Sequence, residues 1–163
     1  MTSSDLTLRP LADTDRAWLR GIVAAEWGLP VVSPAGVHDD PSRLEGLVAE
    51  VGGERAGAVT YEIVGDECEV VTLDSLVPGR GVGRALMEAV RAAAAAASCR
   101  RLWLVTTNEN LQGLGFYQRL GLDLVALHRD FVEVVRRHKP DVGSVPVDGI
   151  QFRHALELEW PLR

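Results

Sequence analysis

The stretch that most constrains the fold of this chain holds three strand-like segments in a row, followed by one long helix-like segment. In these three segments apolar and polar residues alternate, or short runs of residues are apolar, which is typical of β-strands. They are Leu44–Val51, Ala56–Val64 and Glu67–Val77. Gly52-Gly53-Glu54-Arg55 and Gly65-Asp66 separate them, and such short glycine-containing connections join antiparallel neighbours. The centre of the chain therefore predicts a sheet that contains an antiparallel meander.

Further helix-like and strand-like segments flank the meander on both sides. Before it we expect a strand over Leu6–Leu11, a helix over residues 13–27 and a long loop over residues 28–43. After it we expect, in order, a helix over Gly81–Ser98, a strand over Leu102–Thr106, a helix over Asn110–Leu120, a strand over Leu122–His128, a helix over Asp130–His138 and a strand over Ile150–Trp160. This order predicts an α/β fold in one domain over residues 1–163, with a mixed, mostly antiparallel sheet flanked by helices.

Composition excludes several classes of protein. A chain of 163 residues forms one ordinary domain. Its 17 basic and 23 acidic residues give a net charge of −6, which argues against a nucleic-acid partner. No apolar run is long enough for a membrane span, and the first residues lack the layout of a signal peptide. The two cysteines, Cys68 and Cys99, have no neighbours typical of a metal site, so we expect reduced thiols and a cytoplasmic location.

One segment carries a pattern with chemical meaning. Pro78-Gly79-Arg80-Gly81-Val82-Gly83-Arg84 lies between the third strand of the meander and a helix. The three glycines let a ligand approach the backbone, and the helix that follows offers unpaired N–H groups and the positive end of its dipole. Arg80 and Arg84 would add charge to such an anion site. A plain strand-to-helix turn would also explain the glycines, whereas a P-loop would need a Gly-Lys-Ser/Thr sequence that is missing here.

A second segment follows about thirty residues later: Asn110-Leu111-Gln112-Gly113-Leu114-Gly115-Phe116-Tyr117-Gln118-Arg119-Leu120-Gly121-Leu122. Together the two segments resemble the GNAT (GCN5-related N-acetyltransferase) family. Gly81 and Gly83 match the glycines of the family's pyrophosphate loop, and Asn110, Tyr117 and Gly121 match its second pattern at the right spacing. The predicted order of elements is also similar, so the resemblance covers most of the chain from about residue 6 to residue 160.

The resemblance implies a fold and a cosubstrate. In the family, acetyl-CoA lies where two neighbouring parallel strands splay apart; these would be Cys68–Val77 and Leu102–Thr106. The pyrophosphate would lie on residues 79–84, and the backbone near Leu76 and Val77 would pair with the pantetheine arm. No metal is expected. The expected cofactor-binding residues are Leu76, Val77, Gly79, Arg80, Gly81, Val82, Gly83, Arg84, Asn110 and Phe116.

The resemblance also implies a reaction, in which a primary amine attacks the thioester directly within a ternary complex. Tyr117, at the family's tyrosine position, is the expected proton donor to the departing thiolate. Asp74 is our choice of general base, because a carboxylate inside the apolar run of residues 70–77 is either paired or functional. Glu62, Glu69 and His38 are alternatives, and a further alternative is that water serves in place of a dedicated base.

Three departures from the family pattern bear on these expectations. Pro78 stands where the family usually has Gln or Arg, so one phosphate contact is missing and Arg80 or Arg84 would have to replace it. Gly113 and Gly115 lie inside a predicted helix, where each costs about 1 kcal/mol relative to Ala. Either this helix has low stability or its backbone lies against the cofactor. The alternative function is an acyl-CoA-binding sensor of the same fold without turnover, and a third is an unrelated α/β protein that binds ATP or NAD.

The acceptor is expected to be a small-molecule amine or a peptide amine. Its site would be built by residues 28–43, by residues 128–150 and by the last strand. Acidic and aromatic residues in and beside these segments suit a cationic amine. They are Trp27, His38, Asp39, Asp40, Asp130, His138, Asp148 and His154. Because members of the family are often dimers, a homodimer is possible.

Overall fold

A computed structural model describes residues 5–163 of the chain. Nine strands and four helices make up these residues. In chain order they are β1 (Leu6–Pro10), α1 (Asp13–Glu26), β2 (Val31–Ser33), β3 (Gly36–His38), β4 (Glu45–Val51), β5 (Glu54–Val64), β6 (Glu67–Ser75), α2 (Val82–Ala96), β7 (Arg101–Thr107), α3 (Leu111–Arg119), β8 (Asp123–His128), α4 (Phe131–Arg136) and β9 (Ala155–Pro161). Among the described residues, no helix has both the length and the apolar character needed to cross a membrane.

Seven of the strands form one sheet, in the order β1-β4-β5-β6-β7-β9-β8. Every neighbouring pair in this sheet runs antiparallel except β6 and β7, which run parallel. The crossover between the two parallel strands is α2, as expected for a parallel pair. The predicted α/β fold, with a mostly antiparallel sheet and one central parallel pair, is confirmed.

The prediction of a long loop over residues 28–43 was wrong in part. This stretch holds the hairpin of β2 and β3, whose strands pair only with each other, and a 3-10 turn over Pro41–Arg43. Strands of three residues are too short to show an alternating pattern among the surrounding Pro, Gly and Ser. The last strand is also shorter than predicted, since β9 begins at Ala155 and residues 147–150 form a turn of their own.

Helices cover both faces of the sheet. On one face α2 buries Leu86, Met87 and Val90 completely against the meander and β7. Full burial of one such side chain contributes about 1.5–3 kcal/mol relative to exposure. On the other face α1 buries Leu19 and Val23 against β4 and β5, and α4 packs beside β9 in a third apolar cluster. The site described below lies between the two helical layers.

A buried carboxylate fixes the start of α1. Asp15 accepts a hydrogen bond from the Ala12 N–H at 2.9 Å and from the Arg9 guanidinium at 2.6 Å, and Arg55 of β5 donates to its other oxygen at 3.0 Å. The hydrogen bond from Arg9 is the largest of the effects that hold the pKa of Asp15 far below its usual range. These contacts anchor α1 to β1 and β5, and thereby orient Trp27 at its opposite end.

Candidate active site

The two parallel strands separate after a short contact. They pair only through residues 67–69 of β6 and residues 101–103 of β7. β6 continues to Ser75 and β7 to Thr107, where its other edge stays paired with β9. A V-shaped gap therefore opens between the carboxyl-terminal halves of the two strands, as the resemblance implied.

A β-bulge lies in β6 at the point where the gap begins. Val70 pairs with Tyr61 and Thr72 pairs with Thr60, so Val71 has no partner in β5. An extra residue of this kind shifts the alternation of side chains along the strand. Bulges often lie next to active sites, where they redirect a side chain.

The bulge brings two acidic side chains to the same face of the sheet. Glu69 and Asp74 are five residues apart, and a regular strand would place them on opposite faces. In the structure both lie on the α1 face, because Glu69 contacts His38 of the hairpin and Asp74 contacts Trp27 at the end of α1. Their neighbour Leu73 packs on the α2 face instead.

A groove of about 860 Å³ follows the gap along the glycine loop. Gly79 and Gly81 have φ angles of +74° and +72°, which L-residues with side chains rarely adopt. Gly81 is the residue before the first turn of α2, and no side chain caps that helix end. The first-turn N–H groups are therefore available to an anion, and the anion site itself stays a prediction.

Gly83 serves a different purpose from the other two glycines. It lies inside α2, and a Cβ atom there would come within 3.0 Å of Phe116 Cζ on α3. Its absent side chain lets α2 and α3 approach each other across the groove, which both residues line. The two motifs of the sequence thus meet through this contact.

The loop arginines lie in different places. Arg84 lines the groove, together with Val82 and Pro78. Arg80 does not: its guanidinium lies 4.0 Å from the Asp5 carboxylate instead. The structure therefore leaves Arg84, and not Arg80, beside the predicted pyrophosphate position.

Leu76 and Val77, which were predicted to bind the cofactor, both line the groove, and the Leu76 side chain is exposed. However, the N–H of Leu76 donates to the carbonyl of Ala56 at 2.8 Å. Because that donor is occupied, the expected backbone pairing with a pantetheine arm cannot use it.

Asn110 caps α3 at the mouth of the gap. Its Oδ1 accepts a hydrogen bond from the Gly113 N–H at 3.1 Å, and its Nδ2 donates to Thr106 Oγ1 at 2.9 Å. A Cβ atom on Gly113 would lie only 2.3 Å from Asn110 Nδ2. Gly113 is therefore required by the cap, which explains this departure from the family pattern without softness of the helix or contact with a cofactor.

Asp74 is buried in the wall of the groove. The indole Nε1 of Trp27 donates to its Oδ1 at 3.3 Å, and its Oδ2 is buried without a hydrogen-bond partner. Burial, assisted by the nearby charge of Glu26, raises the pKa of Asp74 to about 6, although the Trp27 hydrogen bond opposes this. Such a carboxyl group changes its protonation near neutral pH, as a general base must.

Tyr117 lies on α3 opposite Asp74. Its side chain is half-buried against the α2-side core, with its ring edge-on to Phe116 at 5.3 Å. Burial, with a smaller effect from the charge of Asp74, raises the pKa of the Tyr117 hydroxyl to about 12. The hydroxyl therefore keeps its proton at neutral pH and can donate it.

A second cavity, of about 310 Å³, adjoins the groove on the α1 side. We call it the acceptor cavity and define it by its lining from β2, from residues 69–73, from residues 104–107, from α4 and from the start of β9. It shares Glu26, Trp27, Leu73 and Tyr117 with the groove. Tyr117 therefore lies at the junction of the two spaces.

Glu69, His38 and Glu62 form a cluster beside this cavity. His38 Nε2 lies 3.1 Å from Glu69 Oε1, and its Nδ1 lies 3.7 Å from Glu62 Oε2. The hydrogen bond with Glu69 raises the pKa of His38. Among the described residues, Glu69 alone lines both the acceptor cavity and the outer cavity that holds His38 and Glu62.

Of the residues predicted for the acceptor side, the structure brings Trp27 to the acceptor cavity and His38 next to it. Three others have structural partners instead. Asp40 caps the 3-10 turn, Asp130 forms an ion pair with Arg153 at 2.7 Å, and His154 accepts a hydrogen bond from the Asp130 N–H.

Sequence reasoning missed Glu109 as a lining residue of the acceptor cavity, and it did not single out Phe131 and Phe152 within the segments predicted for the acceptor side. Glu109 directly precedes the predicted cap Asn110, and this adjacency was a usable signal. Phe131 and Phe152 carried none, since each reads as ordinary core in its own segment.

Comparison with known proteins identifies the class. The Acetyltransferase (GNAT) family profile matches residues 11–122, which span both motifs and the strands of the gap. The chain is also 36% identical over 139 residues to the protein YdhI of Bacillus subtilis, covering 85% of this chain and 87% of that one. The chain therefore belongs to the GNAT acetyltransferase family.

Solved structures agree on the fold. A Bacillus subtilis acetyltransferase in complex with CoA superposes with a TM-score of 0.72 at 20% identity, covering 97% of this chain and 99% of that one. A GNAT family acetyltransferase from Elizabethkingia anophelis with acetyl-CoA bound gives 0.67 at 16% identity, covering 96% and 98%. At these identities the superpositions establish the fold, which is that of the family.

Proposed function

We propose that this protein is an acetyl-CoA-dependent N-acetyltransferase that transfers the acetyl group to a primary amine in a ternary complex. The observation that carries the proposal is the junction at Tyr117, where a groove lined by the glycine loop meets a separate cavity. A reaction between two bound substrates needs two spaces that open onto one another. CoA and acetyl-CoA are bound in the related structures named above, which supports the choice of cosubstrate.

The residues of the groove fit the phosphate-bearing part of acetyl-CoA. We assign the pyrophosphate to the loop of residues 79–84, where two left-handed glycines and the uncapped start of α2 supply N–H groups. Arg84 would add its charge from the groove wall, in place of the side chain that Pro78 lacks. Asn110 and Phe116, which line the opposite wall, would flank the bound cosubstrate.

Two side chains would move protons. Acetyl-CoA supplies the acetyl group from its thioester, and CoA leaves as a thiol. Asp74, ionised above its pKa of about 6, takes the proton of the ammonium group and so frees the nitrogen lone pair for attack. Tyr117 donates its hydroxyl proton to the departing sulfur. The nitrogen loses its second proton as the amide forms, and that proton restores the Tyr117 hydroxyl by way of solvent. The new C–N bond forms as the C–S bond breaks, and neither cysteine is required; both are buried and free.

The alternative is a sensor that binds acetyl-CoA without turnover, which Pro78 in the loop would favour. The acceptor cavity argues against it, since a sensor needs no second space next to the thioester. Free buried cysteines suit a cytoplasmic protein, and we propose that location.

The first experiment compares the thermal unfolding of the purified protein with acetyl-CoA, ATP or NAD. A ligand at about one hundred times its Kd adds roughly 2.7 kcal/mol to the stability, which shifts Tm by several degrees. We expect the shift with acetyl-CoA alone. No shift with acetyl-CoA would contradict the proposal, whereas a shift without amine-dependent release of CoA would establish the sensor.

A further inference from the structure

The walls of the acceptor cavity are mainly hydrocarbon. Phe131 and Val135 of α4, Phe152 and Ala155 belong to one buried apolar cluster, and each of them lines the cavity. Leu104 of β7 adds to the same wall. Burial of apolar surface drives binding in such a site, so a ligand should present hydrocarbon to it.

The charged groups of the cavity have mainly one sign. Three carboxylates line it, from Glu26, Glu69 and Glu109. One oxygen of Glu109 is buried without a hydrogen-bond partner, while the other accepts from Thr107 Oγ1 at 2.6 Å. These groups attract a cation and repel an anion.

Among the described residues that line the cavity, Lys139 is the one cation. Its Nζ lies 3.1 Å from the carbonyl oxygen of Trp27 and 3.4 Å from that of Gly28, and it donates hydrogen bonds to both. Burial lowers the pKa of this ammonium group. A ligand carboxylate would therefore meet three like charges against a single ammonium group, most of whose donors already bond to backbone carbonyls.

The volume limits the size of the ligand. At about 310 Å³ the cavity lies at the lower end of the range for small-molecule sites, which is about 300–1,000 Å³. It suits one aromatic ring or a short alkyl chain. A peptide would place backbone polar groups against hydrocarbon without partners.

From these observations we propose that the acceptor is a small primary amine carrying a single apolar group, such as an arylalkylamine or a short alkylamine. The apolar group fills the acceptor cavity, and the amine points to the junction at Tyr117. α-Amino acids and peptides are excluded as good acceptors. This inference rests on the proposed function, because it concerns the second substrate of that reaction.

The test measures the release of CoA thiol with a panel of amines and a fixed concentration of acetyl-CoA. The most informative pair is phenethylamine and phenylalanine, which differ only by the carboxylate. We expect kcat/KM for phenethylamine and hexylamine to exceed that for phenylalanine and a short peptide at least tenfold. A faster rate with either of the latter two overturns the inference while leaving the acetyltransferase intact.

Binding without turnover separates the two proposals. Titration calorimetry follows phenethylamine added to the protein saturated with CoA. Binding of phenethylamine, together with no release of CoA thiol in the amine panel, would contradict the enzyme function and support the proposed ligand class. No binding of phenethylamine would overturn the ligand class.

A pair of variants in one hairpin locates the site. Val32→Phe fills the acceptor cavity from β2 and should weaken phenethylamine binding at least tenfold, with acetyl-CoA binding unchanged. The control is Val37→Phe, at the position paired with Val32, because Val37 is exposed and lines the outer cavity instead. Equal effects of the two variants would place the ligand elsewhere, and thermal unfolding confirms that both fold.

Discussion

The groove and the acceptor cavity are built in different ways. Backbone conformation makes the groove: glycines with positive φ, a helix start and a pair of strands that separate. Side chains make the cavity, and they come from β2, β6, β7, α4 and β9. The first construction depends on short, contiguous stretches of sequence, whereas the second depends on how distant segments pack.

This difference predicts that the two spaces respond differently to substitution. A groove made of backbone keeps its shape through most substitutions of side chains. A cavity made of side chains changes with each substitution. Variants at the junction, in the groove and in the cavity should therefore have separable effects, which the following predictions use.

The largest effect is expected at the junction. Tyr117→Phe removes only the hydroxyl, and loss of a positioned proton donor lowers kcat by about 10²–10⁴-fold. Binding of acetyl-CoA should stay within about twofold, since the groove is unchanged. Steady-state release of CoA and a thermal shift with acetyl-CoA measure the two quantities.

The control for this variant is Tyr61→Phe. Tyr61 is the second of the two tyrosines in the chain and lies on β5, where it is not among the residues that line the groove or the acceptor cavity. Equal losses of activity in the two variants would mean that Tyr117 acts through packing and is not the proton donor.

A smaller loss, about 10²-fold in kcat, is expected for Asp74→Asn. In the wild type the rate should rise with pH through about 6, as the Asp74 carboxyl ionises. The variant should lose this limb of the pH–rate profile. If this limb of the profile persists in the variant, the base is another group, and Glu69 is the first to examine. Asp66→Asn, in the exposed turn between β5 and β6, is the control and should keep the wild-type profile.

Asp74→Asn should also be more stable than the wild type at and above neutral pH, although it is less active. The folded-state pKa of Asp74 is raised from 3.8 to about 6, so its contribution to stability is full below about pH 4 and is lost as the pH rises through 6. The loss is about 3 kcal/mol at neutral pH. Asp74→Asn should therefore be more stable than the wild type at pH 8, with little difference at pH 4, as measured by urea unfolding.

Much of the groove could be predicted from the sequence, because its parts are local. The loop of residues 79–84 and the cap at Asn110 each lie within a few consecutive residues whose types determine the backbone. The direction of a side chain was harder to predict, and Arg80 shows this. Its guanidinium lies beside Asp5, a residue that is far away in the sequence.

The acceptor side could not be predicted to the same degree. The bulge at Val71 leaves no mark in the sequence, yet it brings Glu69 and Asp74 to one face. The hairpin of β2 and β3 is likewise too short for an alternating pattern, although it carries His38. Both features arise from pairing between strands, and no single segment contains that information.

A groove made of backbone should be sensitive to a substitution that changes backbone and nothing else. Gly81→Ala adds one methyl group into open space, but φ of +72° disfavours any residue except Gly. We expect about tenfold weaker binding of acetyl-CoA, since about 1–2 kcal/mol of strain is relieved when the loop moves away from its binding conformation. Titration calorimetry measures the affinity.

Gly52→Ala is the matched control for the loop variant. Gly52 has φ of +60° and equally open surroundings, but it lies in the turn between β4 and β5. It should cost similar stability and leave the affinity for acetyl-CoA unchanged. Equal affinities of the two variants would mean that the loop conformation does not matter for binding.

The smallest effect is expected where the hairpin is fastened to the sheet. His38→Gln keeps a hydrogen-bonding group but removes the charge that pairs with Glu69 and Glu62, so KM for the amine should rise about two- to fivefold, with kcat and acetyl-CoA binding unchanged. Glu69 raises the pKa of His38, so the contribution of this contact to stability is full below pH 6.5 and is lost as the pH rises through the folded-state value. The difference between variant and wild type in Tm should therefore shrink with increasing pH.

The control for His38→Gln is His138→Gln, at an exposed position in the segment after α4. A change in kcat instead of KM for His38→Gln would show that His38 takes part in proton transfer and does not act through the cavity wall.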